Sequence, residues 1–199
     1  MGRKLLEWDE WQPGLDTDQM SLAAVLDTMP KSDADDVPEI VRKYENPESP
    51  DALPGAISLA RHDCLHVILG RGLHVQDEAF IIGVTMGADA AMTGTITEEF
   101  IRISTTLYPK VWRFQPDHIA SYRLGVGFAM DNLKGANLHL TPWENEPYQS
   151  QTVAALRKGL GLVKAEMRAY YRKEELLVPG TRATRRLDTS GQREDRDLA

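Results

Sequence analysis

Apolar residues recur at helical spacing along most of the chain, and no segment alternates between apolar and polar positions with the period of two typical of a strand. The spacing predicts five longer helices and two shorter ones, over residues 54–69, 77–92, 97–107, 116–133 and 151–176, and over 19–29 and 38–44. The 77–92 segment is apolar on nearly all sides, which is typical of a central, buried helix. We therefore predict an all-α fold, a single domain of six to eight helices.

The two ends of the chain differ from its middle in composition. The first residues are polar, with Trp8 and Trp11 as isolated apolar positions that either reach a membrane interface or pack on the helices. The chain again becomes polar and charged after Pro179. We expect three parts, namely a poorly ordered arm over residues 1–18, the helical domain over 19–178 and a disordered tail over 179–199.

The net charge is −7, and the acidic residues are concentrated near the start. Residues 1–51 hold 13 acidic and 5 basic residues, whereas residues 52–199 hold 17 acidic and 18 basic residues. An acidic chain lacks the positive surface that non-specific nucleic-acid binding requires, so we expect no nucleic-acid partner. The nearly neutral remainder permits peripheral contact with a membrane surface.

Location is constrained by two further features of the sequence. No apolar stretch is long enough for a transmembrane helix. The single cysteine, Cys64, excludes an intrachain disulfide and fits a reducing compartment. We expect a protein that is cytoplasmic or peripheral on the inner face of a membrane.

The residues that indicate chemistry lie in the 54–69 helix and at the start of the next one. His62 and His66 are four residues apart and therefore share a helix face, and Asp63 borders that face. Glu78 begins an otherwise apolar helix, where a lone buried carboxylate is costly unless a cation lies nearby. Together these four residues predict a metal site, the alternative being a hydrogen-bonded histidine pair with no metal.

Other polar residues are weaker candidates. Cys64 faces away from the histidine pair and is expected to be a small core residue. His74 falls in the turn between the two helices, where we expect it to be exposed. His118 and Arg123 lie on a later helix and are candidates to meet a substrate carboxylate.

The sequence His62-Asp63-x-x-His66, followed by eleven residues and Glu78, resembles the signature of the coenzyme Q biosynthesis protein 4 family. The resemblance covers residues 60–94, and a weaker likeness lies at 125–131. It implies an all-α protein that binds a divalent metal, usually zinc, through these four residues. It also implies a role in ubiquinone synthesis, at the step that removes a ring carboxyl group and hydroxylates that carbon.

The resemblance further implies a prenylated quinone precursor or another isoprenoid lipid as ligand, and other quinone-biosynthesis enzymes as partners. Small residues spaced by four in the 77–92 segment either line a slot for the isoprenoid tail or pack against another helix: Ala79, Gly83, Gly87 and Ala91. Packing is the commoner use of such a stripe, whereas the resemblance favours the slot. Arg123 is the candidate for contact with the substrate's acidic group.

Three functions therefore remain open. The first is a metal-dependent enzyme of ubiquinone synthesis that acts on a prenylated aromatic acid, and the second is a non-catalytic scaffold that holds a prenyl lipid and docks other enzymes. The third is a metal-dependent phosphohydrolase of the His-Asp class, which would need a further histidine upstream, and none precedes His62. Homo-oligomerisation is compatible with each of them.

Overall fold

The computed structural model describes residues 9–30 and 37–187. That part of the chain contains eight α-helices, one short 3-10 helix and no β-strand. The elements are, in chain order, α1 (Leu22–Leu26), α2 (Glu39–Glu45), α3 (Leu59–Leu69), α4 (Val75–Ala88), α5 (Gly94–Thr106), α6 (Pro116–Asn132), α7 (Val153–Gly159), α8 (Lys164–Leu177) and the 3-10 helix (Thr184–Arg186). The prediction of an all-α domain with six to eight helices is confirmed.

Local sequence explains where several helices begin. The hydroxyl oxygens of Ser21, Thr93 and Thr152 each accept a hydrogen bond from a backbone N–H in the first turn of the helix that follows. Pro116 occupies the first position of α6, where its missing N–H costs nothing. The three hydroxyl groups thus satisfy backbone donors that the helix itself leaves without partners, and Pro116 removes one such donor.

The helix bounds differ from the predicted ones in several places. Helix α1 is shorter than the predicted 19–29, and α5 begins at Gly94 rather than at residue 97. Residues 54–58 are not helical, and α4 ends at Ala88 rather than at residue 92. The single helix predicted over 151–176 is wrong, because the chain forms α7 and α8 there. Gly161 separates them with a φ of +72°, a left-handed conformation that ends a helix readily when the residue is glycine.

Helix α4 lies between two apolar clusters and is buried along nearly its whole length. Phe80 and Val84 belong to the larger cluster, which α3, α6, α7 and α8 complete. Ile82 and Met86 belong to the smaller cluster, which contains residues of α2, α5 and α6. A helix with an apolar cluster on either side must be apolar all round, as the sequence of α4 indicates.

Both ends of the packed domain extend beyond the predicted bounds of 19 and 178. Residues 1–8 and 188–199 lie outside the described residues, so the predicted arm and tail are not tested there. Trp11 and Leu15, assigned to the arm, are only 2% and 0% exposed, and Leu187, assigned to the tail, is 6% exposed. These side chains pack against parts of the chain that are distant in sequence, which local composition does not reveal.

Candidate metal centre

Helices α3 and α4 together bring three potential metal ligands to one point. His62 and His66 lie one turn apart on α3, and Glu78 projects from the first turn of α4. The Nε2 atom of His62 lies 2.8 Å from Oε2 of Glu78, and the Nε2 atom of His66 lies 3.3 Å from Oε1. One ligand atom from each of the three residues lies within 4.8 Å of the others, which is a group that can hold a metal ion.

These separations fit the geometry of a bound divalent ion. Nitrogen and carboxylate ligands sit about 2.0–2.2 Å from zinc, so neighbouring ligands of a tetrahedral site are about 3.3 Å apart. The two nitrogen-to-oxygen distances, 2.8 and 3.3 Å, are close to that value. The separation of His62 and Glu78 is also that of a hydrogen bond, so the group can surround an ion or form a hydrogen-bonded cluster.

A backbone carbonyl orients the more deeply buried histidine. The His66 side chain is 1% exposed, and its Nδ1 lies 2.7 Å from the carbonyl oxygen of Gly72. A carbonyl only accepts, so Nδ1 carries a proton, and when the ring is neutral, as a metal ligand must be, Nε2 presents a lone pair. That lone pair faces Glu78, which has no proton to donate when ionised, and a metal ion between them satisfies both groups.

The electrostatics of the site follow from burial of opposite charges. Burial alone would raise the pKa of Glu78, but the adjacent His66 and His62 outweigh it and hold that pKa well below its usual range. Burial likewise disfavours the charged form of His62, yet the hydrogen bond and charge of Glu78 raise its pKa above the ordinary value. The pocket thus favours one negative group together with positive charge, which is the balance that a cation site requires.

Asp63, the fourth predicted ligand, is not part of this group. Burial raises the pKa of its carboxyl group, although the charges of His62 and His66 oppose that rise. Asp63 follows His62 on α3, so its side chain leaves the helix about 100° away from that of His62. The structure therefore supports three of the four predicted ligands and places Asp63 beside them.

The predicted lipid stripe packs against α6, which contradicts the slot. A Cβ atom added to Gly83 would lie 2.2 Å from the carbonyl oxygen of Tyr122, and one added to Gly87 would lie 2.6 Å from that of Val126. Ala79 is buried in the same region, whereas Ala91 lies beyond the end of α4 and is exposed. The small residues allow two backbones to approach closely, and no space for an isoprenoid tail remains between them.

The remaining candidates make other contacts in the structure. Arg123 is half-exposed and forms a surface ion pair with Glu98, 2.8 Å apart. The imidazole of His118 accepts a hydrogen bond from the backbone N–H of Gln115 at the start of α6. His74 caps α4 and is partly buried rather than exposed.

Cys64 is buried, as predicted, and its thiol donates a hydrogen bond to the carbonyl oxygen of Ala60. Burial raises the pKa of this thiol to about 12. A thiol that keeps its proton is a poor metal ligand, because metals bind the thiolate. Cys64 is therefore a core residue beside the site and not part of it.

Two groups near the site have no clear signal in the sequence. The ring of Trp11 lies edge-on to that of His66, with centroids 6.4 Å apart, and helps to seal this ligand from water. Glu45 of α2 accepts a hydrogen bond from the hydroxyl of Tyr108, and its charge acts on both His62 and Glu78. Burial raises the pKa of Glu45 to about 7. Both residues belong to segments that the sequence pattern does not connect to α3.

Comparison with protein-family models, with curated proteins and with solved structures returns no match for this chain. The likeness to the coenzyme Q biosynthesis protein 4 family therefore stays a prediction from the spacing of four residues. The convergence of His62, His66 and Glu78 is an independent geometric observation.

Proposed function

We propose that this protein is a metal-dependent enzyme of the ubiquinone-biosynthesis type, acting on a prenylated aromatic acid. The observation that carries the proposal is the convergence of two imidazole nitrogens and one carboxylate on a single point. Structural zinc sites are usually closed and rich in cysteine, whereas two histidines and a carboxylate leave a coordination position open for a substrate. Zinc is the metal we propose, and iron and cobalt accept the same donors.

The unequal exposure of the three ligands indicates where a substrate would approach. His66 is 1% exposed, whereas the side chains of His62 and Glu78 are 12% and 26% exposed. The open position therefore faces solvent on the side of His62 and Glu78. A divalent ion held there would supply Lewis-acid stabilisation to a carboxylate or phenolate oxygen of the substrate.

The proposal concerns the aromatic head of the substrate and not its tail. The backbone of α6 occupies the space beside Gly83 and Gly87. The cavity lined by Glu45, Ile82 and Met86 has a volume of about 10 Å³, which admits one water molecule. Neither space can hold an isoprenoid chain, so the tail must lie elsewhere or outside the protein.

Elemental analysis of the purified protein tests the metal, and mass spectrometry of its organic extract tests the ligand. We expect about one divalent ion per chain, lost on His66→Ala. The matched control is Cys64→Ser, two residues away on the same helix, which should retain the ion because the thiol lies outside the ligand group and bonds to its own helix and to Gln149. Equal loss in both variants would show that the ion is not held by this group.

We also propose that the protein contacts an anionic membrane surface through the connection between α5 and α6. No helix in the described ranges is both long and apolar enough to cross a bilayer. In the connection, however, Val111 is 79% exposed, Leu107 43% and Trp112 37%. Residues 100–116 contain three basic residues and no acidic one. Arg102 pairs with Glu99, whereas Lys110 and Arg113 place positive charge beside the apolar residues, which suits anionic headgroups.

Sedimentation with vesicles tests this contact. The protein should sediment with vesicles that contain phosphatidylglycerol, and less with vesicles of phosphatidylcholine alone. Val111→Asp should release it, whereas Leu176→Asp, at a leucine on α8 that is 83% exposed, should not. Release by both substitutions, or no dependence on lipid charge, would count against this surface.

A further inference from the structure

A buried polar network lies directly beneath the turn that joins α3 to α4. Arg71, within that turn, is fully buried, and its guanidinium donates two hydrogen bonds to the carboxylate of Glu174 on α8, of 2.6 and 3.0 Å. The Nε atom of Arg71 also forms an ion pair with Oδ1 of Asp77, 3.0 Å away. The side chains of all three residues are 0% exposed.

Glu174 binds more than Arg71. One of its oxygens accepts hydrogen bonds from Nε2 of Gln76 on α4 and from the hydroxyl of Ser121 on α6, each 2.7 Å long. This single carboxylate on α8 therefore fixes the α3–α4 turn, the first turn of α4 and the middle of α6 relative to one another.

The same turn and the same first helical turn carry the metal centre. Gly72, the residue after Arg71, supplies the carbonyl oxygen that orients His66. Gln76 and Asp77 directly precede Glu78. The carbonyl of Gly72, which orients His66, is therefore next to Arg71, which binds Glu174. Glu78 directly follows Asp77, which pairs with Arg71, and is two residues from Gln76, which binds Glu174.

We propose that Glu174 is a positioning residue of the metal centre, which through Arg71 and Gln76 sets the separation of His66 and Glu78. This inference rests on the proposed function, because it assigns a purpose to the geometry of the same three ligands. Packing alone is a weaker explanation of the network. Burial of three charges is costly, and apolar side chains of similar volume often hold helices together equally well. Charged hydrogen bonds are directional, however, and fix distances and angles that apolar contacts leave adjustable.

The end of the described chain completes the arrangement. Gln76 also donates to the hydroxyl oxygen of Thr184, 3.0 Å away, and its amide oxygen accepts from the hydroxyl of Thr181, 2.7 Å away. Both the amide nitrogen and the amide oxygen of Gln76 are thus engaged, and its side chain has one orientation. The network therefore extends from the metal centre through α8 to the segment that follows it.

The test is the affinity and visible spectrum of bound Co²⁺ in Glu174→Gln. The substitution keeps the shape of the side chain and removes the charge that pairs with Arg71. Loss of a group that orients metal ligands typically weakens metal binding roughly 10- to 100-fold, and we expect a loss in that range. We also expect a changed visible spectrum, because the absorption of Co²⁺ depends on the arrangement of its ligands. All measurements are made well below the unfolding temperature of each variant.

The matched control is Met167→Ala, at a fully buried apolar position on the same helix. It lowers stability without touching the network, so Co²⁺ affinity and spectrum should stay as in the wild type. An equal change in both variants, or an unchanged Glu174→Gln, would overturn the inference. If Glu174→Gln does not fold, Ser121→Ala removes one of the hydrogen bonds to Glu174 and should produce a smaller change of the same kind.

A metal-free measurement separates this inference from the proposed function. Imidazole nitrogen NMR of the metal-free protein reports the proton on Nδ1 of His66 and its bond to Gly72. Glu174→Gln should alter those signals and Met167→Ala should not, whether or not the wild type binds a metal. Absence of Co²⁺ binding by the wild type would therefore refute the proposed function alone, and unaltered His66 signals would refute the positioning role.

Discussion

Two faces of the same helix, α4, are used in opposite ways. Toward α3, its first turn presents Glu78, whose carboxylate lies within 3.3 Å of both histidine rings. Toward α6, its second half presents Gly83 and Gly87, which meet backbone atoms of the facing helix. One face places a charged side chain where it needs a partner, and the other removes side chains so that two backbones can touch.

The comparison shows why the sequence of α4 predicts a partner for Glu78 but leaves the use of the glycine stripe open. A buried carboxylate is strongly destabilising unless a positive charge lies close to it, so Glu78 in an apolar helix indicates a cation or a cationic side chain nearby. A stripe of small residues is compatible with two arrangements, a close contact with another helix and a slot for a ligand. The residues of α6 decide between them, and nothing within α4 reveals that α6 lies opposite.

Substitution in the glycine contact should have the largest effect. Gly125 of α6 faces α4, and a Cβ atom there would lie 2.2 Å from the carbonyl oxygen of Phe80. Gly125→Ala therefore forces two backbones apart and should lower the free energy of unfolding by about 3 kcal/mol or more. Urea unfolding followed by circular dichroism measures the change.

Gly127, two residues along α6, provides the matched control for that substitution. A Cβ atom at Gly127 would have no heavy atom within 4 Å. Gly127→Ala should therefore stabilise the protein by up to about 1 kcal/mol, through the higher helix propensity of alanine. Equal losses at both positions would mean that close packing is not what the α6 glycines provide.

Much of the fold could be predicted from the sequence, because most helices carry their own periodic pattern and their own starting residues. The break at Gly161 was missed because the apolar spacing continues through it, and a glycine's φ is not visible in that spacing. Of the site, His62 and His66 follow from helical spacing and Glu78 from its apolar surroundings. Trp11 and Glu45 were missed because only tertiary contacts place them next to α3.

The segment after α8 should matter next most, because it holds the side chain of Gln76 in the first turn of α4. The test compares a chain that ends at Leu187 with one that ends at Gly180. The shorter chain lacks the buried side chains of Ala183 and Leu187. It also lacks both threonine hydroxyl groups that bond to the Gln76 side chain. We expect a loss of about 2 kcal/mol, or a melting temperature lower by roughly 4–8 °C. Identical melting of the two chains would show that the segment contributes nothing to the packed domain.

Removal of the charge of Glu78 should have a smaller effect on folding stability and a large effect on metal binding. Glu78→Gln keeps the size of the side chain but replaces charged hydrogen bonds to the histidines by neutral ones, at a cost of about 1 kcal/mol near pH 6. Metal affinity should fall by more than about 100-fold, because a ligand is lost and not merely an orienting group. Calorimetric titration with Zn²⁺ and thermal melting without metal measure the two effects. Unchanged affinity would remove Glu78 from the site.

The smallest expected effect is a pH dependence that has opposite signs with and without metal. The pKa of His62 is raised in the fold, so the protonated ring contributes stability that is fully present below pH 6.5 and is lost as the pH rises through the folded pKa. The raised pKa of Glu45, about 7, changes stability in the same direction, while the lowered pKa values of His74 and His118 oppose it.

The contribution of the site is therefore measured as the difference in stability between the wild type and Glu78→Gln, both melted without metal from pH 6 to pH 8. That difference should shrink as the pH rises. Affinity for Zn²⁺ should rise over the same range, since the ion must displace the proton from His62. A stability difference that stays constant with pH would mean that Glu78 does not stabilise the charged form of His62. The contact between Glu78 and the histidines would then be a neutral hydrogen bond.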